Sequence, residues 1–270
     1  MRLKTAIFSM ILAFTASQAI AENSLDRRID AATEVLEQMS KMPEKGVPPS
    51  LLSSAYAVAV IPSVIKAGFI LGGSYGKGVL VVRQPDGRWS NPAFISIGAG
   101  SFGWQVGAQS SDIVLVFKNR KGIDNIANGK LTLGGDANVA AGPVGRHTSA
   151  ATDGQLKAEI YSYARNRGLF AGISLEGAWL RMDNKANFTY YESDQNTAAK
   201  ILGDKHMPTP ANARRFIEIL ANRTPNLNNK VSGSRSAQIQ TRPSSDSAEP
   251  EGAQTFAIDE APVPKSDSIY

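Results

Sequence analysis

A series of short apolar runs separated by turn residues constrains the fold of this chain more than any other feature. Between residues 57 and 118 the runs are five to eight residues long and rich in Val, Ile and Phe, and they are interrupted at 84–87 and 110–112. We predict strands near 57–61, 68–74, 78–83, 89–98, 101–108, 112–118, 130–141, 155–165 and 168–176. Short strands with tight turns are typical of a curved or closed antiparallel sheet.

Two glycine motifs within these runs resemble nucleotide-binding loops. In "GGSYGKG", residues 72–78, a P-loop would need glycine where Leu71 stands and a hydroxyl where Gly78 stands, with a helix to follow. In "GAGSFG", residues 98–103, the spacing fits a dinucleotide loop, but turn residues and another strand follow instead of the required helix. We therefore expect no bound nucleotide and predict that these glycines bend strands.

Helices are predicted on both sides of the strands. Residues 22–42 carry an apolar stripe at spacings of three and four, formed by Leu25, Ile29, Ala32, Leu36 and Met39. The stripe fits docking on the core of the protein, and it equally fits insertion of Leu25, Ile29 and Leu36 into a membrane. Further helical segments are expected from about Ser50, at 121–127, in "NTAAKILG" and in "TPANARRFIEILAN".

These elements together predict an α+β fold. Its centre is a strongly curved or barrel-like antiparallel sheet of Gly-rich strands, covered by an N-terminal helix and C-terminal helices. We place this domain at residues 22–222 and predict that 223–270 form a disordered, polar, acidic tail, because few apolar residues remain there.

The first 21 residues are typical of a secretory signal peptide. Arg2 and Lys4 precede an apolar run at 6–16, and Ala19-Ile20-Ala21 forms a small-residue cleavage site before Glu22. We expect export to the periplasm, with secretion as the alternative. The sequence has no cysteine, so it offers neither a disulfide nor a thiol for attachment of a lipid.

The sequence contains no recognisable catalytic or metal-binding motif. His147 and His206 lie far apart, and the chain lacks a G-x-S-x-G elbow and an H-E-x-x-H motif. We expect no enzymatic activity, no cofactor and no metal, although a hydrolase with an unrecognised serine or carboxylate site remains an alternative.

Basic residues are the better functional candidates. The chain has 29 basic and 24 acidic residues; three basic and six acidic ones lie in 231–270 and two basic ones in 1–21, so 22–230 carry an excess of six positive charges. Such cations bind the phosphates of lipids or nucleic acids, or they form a solvated rim without a ligand. The candidate lipid-binding residues are Lys66, Lys77, Lys118, Arg120, Lys121, Arg146, Arg165 and Arg167.

Four blocks of sequence resemble the SYLF domain in order and spacing. They are "AYAVAVIPSVIKAGFILGGSYGKGVLVVR", "WSNPAFISIGAGSFGWQVGAQSSDIVLVF", "GGDANVAAGPVGR" and "YSYARNRGLFAGISLEG", within residues 45–195. The resemblance implies a non-catalytic lipid-binding domain in which an amphipathic N-terminal helix and basic residues contact the membrane. Eukaryotic members bind phosphoinositides and some bind actin, whereas bacterial members are commonly exported, some as lipoproteins.

For an exported bacterial chain the implied ligands are phosphatidylglycerol, cardiolipin or other acidic envelope lipids, held without a covalent anchor. We therefore predict binding of anionic lipid or a membrane surface in the bacterial cell envelope, with no nucleic acid and no nucleotide as partner. The alternative is a structural envelope protein that binds a protein or polysaccharide.

Overall fold

The computed structural model describes residues 24–39, 41, 46–68, 71–102, 107–143, 158–166, 169–192, 198–203 and 207–224, which belong to one compact unit. Six helices occur among them: α1 (24–39), α2 (Pro49–Ser53), α3 (Lys121–Ala127), α4 (Asn184–Tyr191), α5 (Ala198–Gly203) and α6 (Ala211–Arg223). The strands are β1 (Ala57–Gly68), β2 (Leu71–Val82), β3 (Ala93–Phe102), β4 (Gly107–Phe117), β5 (Leu131–Thr132), β6 (Val139–Ala141), β7 (Ile160–Asn166), β8 (Leu169–Gly172) and β9 (Trp179–Met182).

All nine strands of the described residues form one strongly curled sheet. Eight of them follow the order β5-β9-β3-β2-β1-β4-β7-β6, and β8 pairs with β7. Every pairing is antiparallel except that of β6 with β7, which is parallel. The α+β class, the curved sheet and its covering helices confirm the prediction from sequence, and the parallel pair is an addition to it.

Strand β9 and helix α4 were not predicted from the sequence. The Asp183 side chain caps α4 by accepting a hydrogen bond from the Ala186 N–H group at 3.2 Å. The buried side chain of Asn187 accepts from the Phe94 N–H at 2.7 Å and donates to the Phe94 carbonyl at 3.2 Å. Helix α4 is therefore held to β3 by these polar contacts together with the edge-on packing of Tyr190 against the Phe94 ring at 5.1 Å.

One face of the sheet, here the first face, packs against α1, α2 and α6. Residues Val58 and Val60 of β1 meet Ile29 and Leu36 of α1 and Phe216 of α6 in one apolar cluster, and all five are fully buried. Burial of side chains of this size stabilises the fold by about 1.5–3 kcal/mol each.

The candidate membrane-inserting side chains Leu25, Ile29 and Leu36 belong to this cluster and are at most 5% exposed. In the folded domain the α1 stripe therefore faces protein and not lipid. Of the two roles that its spacing allowed, docking on the core is the one that the structure displays.

The opposite, second face packs against α3 and α5. Residues Ile61 and Leu115 of the sheet meet Ile126 of α3 and Ile201 of α5, again with complete burial. Because both faces are covered along this part of the sheet, its strands read as continuous apolar runs in the sequence.

A bulge in β1 separates this buried part of the sheet from an exposed part. Ser63 adopts a positive φ of 49°, and the pairing of β1 with β4 shifts register between Ile61 and Val64. The Ser63 N–H group donates to one carboxylate oxygen of Asp112 at 2.9 Å, and Arg165 Nε donates to the other at 2.7 Å. Asp112 of β4 thereby links the bulge of β1 to Arg165 of β7.

Two glycines of β2 make room for the bulged strand. A Cβ atom at Gly78 would overlap the Val60 carbonyl oxygen, and one at Gly76 would lie 2.6 Å from Val64 Cγ2. These glycines serve the close approach of two strands, in line with the structural role predicted for the motif. By contrast, the nearest atom to a Cβ at Gly73 would be Ala99 O at an ordinary 3.5 Å.

We call residues 57–61, 79–82, 93–97 and 113–117 the buried half of the sheet, and residues 64–67, 72–77, 98–100 and 109–112 the open half. In the buried half every side chain is buried, whereas in the open half most are partly or fully exposed. In the part of the chain that the structure describes, no helix is both long and apolar enough to span a bilayer.

Candidate functional site

A row of large apolar side chains crosses the first face of the open half. Strand pairing places Ile65 opposite Tyr75, Tyr75 opposite Gly98, and Gly98 opposite Trp179. Ile65 is 58% exposed and Tyr75 is 47% exposed. The Trp179 ring lies directly over Gly98, where a Cβ atom would overlap it. We call Ile65, Tyr75 and Trp179 the aromatic row.

A row of basic side chains runs beside the aromatic row. Lys77 pairs with Ser96 and Ser96 with Arg181, two positions along each strand and therefore on the same face. The Arg181 guanidinium lies 4.9 Å from the centroid of the Trp179 ring, a cation–π distance. We call Lys77 and Arg181 the basic row.

Asp183 balances one of these cations. Its Oδ2 atom lies 3.6 Å from Lys77 Nζ and 3.2 Å from Arg28 Nη1 of α1. The Lys77 side chain nevertheless remains 45% exposed. An ion pair with this exposure contributes little to stability. Because its side chain is exposed and its ion pair is weak, Lys77 is accessible to an external anion.

The second face of the open half contains a cavity of about 510 Å³. Lys66 is the only basic side chain of its described lining, and Glu176 is the only acidic one. Small and aliphatic residues form most of the remaining wall. Lys66 and Lys77 therefore lie on opposite faces of the sheet, although both were predicted to bind one lipid surface.

The basic cluster of "KNRKG" lies at the opposite end of the sheet, just beyond the end of β4. Arg120 Nε is 3.0 Å from Asp124 Oδ1, Lys121 Nζ is 3.7 Å from Glu159 Oε1, and Lys118 Nζ is 3.5 Å from Ser54 Oγ. Two of these cations thus have a carboxylate partner within the domain.

This end also holds a wider cavity of about 700 Å³, lined in part by Arg83, Lys118 and Arg120. Burial lowers the pKa of Arg83. This side chain donates to the Ala55 and Leu52 carbonyl oxygens at 3.2 and 3.3 Å and stacks on Trp89 at 4.4 Å. These contacts give Arg83 a structural role in joining α2 to the sheet.

The remaining predicted basic residues are placed in neither the basic row nor the "KNRKG" cluster. Arg165 is largely buried in its ion pair with Asp112. Arg146 and Arg167, like His147 and His206, lie outside the described residues. Sequence reasoning missed Tyr75, Trp179 and Arg181, whose alignment depends on pairing between β2, β3 and β9. Within the described ranges, no group of three or more His, Asp or Glu residues is placed to hold a metal ion.

Comparison with known proteins identifies the family. The chain is 32% identical over 250 residues to the human SH3 domain-containing YSC84-like protein 1, covering 89% of this chain and 72% of the relative. The chain belongs to the SYLF domain family. The model of the Ysc84 family, described as Las17-binding protein actin regulator, matches residues 98–223 of this SYLF protein.

Other relatives are matched over a smaller share of their length. The Xenopus laevis SH3 domain-containing YSC84-like protein 1 is 39% identical over 180 residues, or 66% of this chain and 53% of the relative. LAS seventeen-binding protein 3 of Saccharomyces cerevisiae is 36% identical over 168 residues, or 61% and 36%. The family model and the yeast relative are named for binding of Las17. The relationship supports a binding role for this SYLF domain.

Proposed function

We propose that this SYLF domain binds anionic membrane surfaces without catalysis, and that it does so in the bacterial cell envelope. The observation that carries the proposal is the pairing of the aromatic row with the basic row on one exposed face. Such a surface presents apolar rings and cations side by side, as the boundary between lipid tails and phosphates requires.

The two rows contribute different parts of the binding free energy. Tyr and Trp favour the membrane interface because their rings are apolar at one end and polar at the other. Ile65 adds exposed aliphatic area, worth about 25 cal/mol for each Å² removed from water. Each Lys or Arg near an anionic surface contributes about 1 kcal/mol, and residues 22–230 carry six excess positive charges that add long-range attraction.

The proposed location rests on the N-terminal sequence. Export through the signal peptide at 1–21 would expose the domain to phosphatidylglycerol and cardiolipin, the acidic lipids of the envelope. Intact-mass measurement of the exported protein tests this part: a mature chain that begins at Glu22 supports it, and a chain that retains residues 1–21 contradicts it.

Vesicle sedimentation tests the membrane contact. The purified protein is mixed with phosphatidylglycerol-containing vesicles and with phosphatidylcholine vesicles over a range of salt concentrations. Binding to the acidic vesicles should weaken steeply as salt rises, because charges are screened within about 8 Å at physiological ionic strength. Equal binding to both vesicle types at every salt concentration would exclude the electrostatic mechanism.

Two matched variants locate the contact. Lys77→Gln with Arg181→Gln removes the basic row and should weaken binding to acidic vesicles about tenfold or more. Lys118→Gln with Arg120→Gln and Lys121→Gln removes a larger charge at the other end of the sheet. If the rows form the contact, the triple variant retains most of its binding. If the triple variant loses more, the contact lies at "KNRKG", which holds three of the eight basic candidates that the sequence suggested.

A protein partner on the same face is the second candidate. Its support is the names of the relatives, which describe Las17 binding and actin regulation. Exposed aromatic and Arg side chains are also the residues that dominate protein interfaces. A photo-crosslinking residue at position 75 in living cells distinguishes the two: a discrete protein adduct favours a partner protein, whereas a lipid adduct favours the membrane.

A further inference from the structure

We propose that the cavity on the second face of the open half binds one acyl chain of an anionic phospholipid, with the head group at Lys66. This site lies on the side of the sheet opposite the aromatic and basic rows. It would take up a single lipid chain, and so it goes beyond the surface contact proposed above.

Polar side chains form the mouth of the cavity. Pairing places Lys66 of β1 opposite Ser74 of β2 on one side and opposite Gln109 of β4 on the other, and all three line the cavity. An ammonium, a hydroxyl and an amide group in one row can all donate hydrogen bonds to phosphate oxygens.

Apolar and small side chains form the floor. Pairing aligns Ile113 with Ala164 and Ala164 with Ala171, and Val64 also lines the cavity. Val64 and Ile113 are buried, whereas Ala171 is exposed at the rim of this apolar part. Ala164 and Ala171 each place only a methyl group against the cavity. Polarity therefore falls from the mouth to the floor, as it does from the head group to the tail of a lipid.

Charge at the mouth favours an anionic ligand. Among the described residues, no ion pair joins Lys66 to a carboxylate, and Lys66 is exposed. Glu176 lies at the margin near the turn at Gly134, where a Cβ atom would be 3.2 Å from its Cγ atom. An anion that binds at Lys66 supplies the counter-charge that the fold does not.

The size of the cavity fits a single chain. Its volume of about 510 Å³ lies in the lower half of the range of roughly 300–1,000 Å³ that is usual for ligand pockets. We therefore expect a lysophospholipid, with one chain, to bind as a monomer without any membrane.

The test uses lysophosphatidylglycerol below its critical micelle concentration, with chains of ten, twelve and fourteen carbons, and isothermal titration calorimetry of the full chain. Affinity should rise about fourfold for each added methylene while the chain fits the floor. Lysophosphatidylcholine of equal chain length should bind at least fivefold more weakly. Affinity that does not depend on chain length would overturn the proposal.

Three variants locate the ligand. Ala171→Phe places a ring at the rim of the apolar part of the cavity and should reduce affinity for every lysolipid at least tenfold, with an unchanged near-UV spectrum as the check on folding. Lys66→Gln should remove the preference for lysophosphatidylglycerol over lysophosphatidylcholine. Lys130→Gln removes an exposed cation that does not line the cavity, and it should leave the preference intact. Should Lys66→Gln and Ala171→Phe both bind like the unaltered protein, the site is elsewhere.

The vesicle and lysolipid assays can fail separately. Sedimentation with vesicles measures binding through the aromatic and basic rows, and titration with monomeric lysolipid measures binding in the cavity. Vesicle binding without lysolipid binding would overturn the cavity proposal and leave the membrane-surface proposal standing, and the reverse result would do the opposite.

Discussion

The two ends of strand β1 contain similar residues and have different surroundings. Residues from Ala57 to Ile61 are fully buried, with apolar neighbours on both faces. Beyond the bulge at Ser63, Ile65 and Lys66 are exposed, one on each face. The comparison teaches that the covering helices, and not the strand's own composition, divide this sheet into a part that stabilises the fold and a part that can contact other molecules.

The largest expected effect comes from truncating equivalent isoleucines on the two sides of the bulge. Ile61→Ala should lower the free energy of unfolding by about 2–5 kcal/mol, because it leaves a cavity in the core. Ile65→Ala should change it by less than about 0.5 kcal/mol. Urea unfolding of both variants measures the difference. Equal destabilisation would mean that the two halves are not distinct.

A smaller effect is expected from adding one methyl group at glycines of the two halves. Gly78→Ala should lower stability by about 1–3 kcal/mol, because the new Cβ atom overlaps the backbone of β1. At Gly100 no atom lies within 4 Å of the added Cβ, so Gly100→Ala should be neutral or slightly stabilising. Thermal unfolding of the pair checks this. A Gly100→Ala variant that is the less stable of the two would refute the packing argument.

The smallest effect concerns Glu159, at the end of the sheet farthest from the open half. A hydrogen bond from the Asn138 N–H group, then one from Asn119 and the charge of Lys121, holds the pKa of Glu159 below its usual value of 4.5. A lowered pKa in the folded state means that the carboxylate stabilises the fold above pH 4.5, and that this contribution is lost as the pH falls through the folded pKa.

Glu159→Gln should therefore cost under about 1 kcal/mol at pH 7, and the difference from the unaltered protein should shrink toward pH 3. Chemical unfolding at several pH values measures it. A difference that stays constant with pH would assign the effect to packing and not to charge.

The sequence predicted the fold where the pattern of apolar residues was strong. The stripe of α1 and the turn at 84–87 depend on local sequence, and the structure contains them. The turn predicted at 110–112 is wrong, because β4 runs unbroken from Gly107 to Phe117. The strands predicted at 68–74 and 78–83 are one strand, β2, and the strand predicted at 130–141 is divided by a turn into β5 and β6. Helix α4 was not predicted because its buried residues are Ala186 and Asn187, and one alanine and one amide make no apolar stripe. The aromatic and basic rows were not predicted. Tyr75 and Trp179 are aligned only because both pair with Gly98 of the strand between them, and strand order cannot be deduced from one sequence.

Basic residues were the part of the candidate site that the sequence could suggest. Counting charges identified Lys77 and Lys66, but gave no indication that they lie on opposite faces. It also identified Arg120 and Lys121, although these are paired with Asp124 and Glu159 in the fold. Pairing between distant segments is a property of tertiary structure, and it changes which cations are available to a ligand.

Asp183 brings three segments of the chain to one carboxylate group, since it contacts Arg28, Lys77 and the first turn of α4. If the proposed lipid contact forms, a phosphate at Lys77 would replace Asp183 as the counter-ion of an ammonium group that is already partly desolvated. Arg28 contacts Asp183 independently of Lys77, so α1 would keep this ion pair when the lysine changes partner. Docking on a bilayer would then leave the charge balance of the interior almost undisturbed.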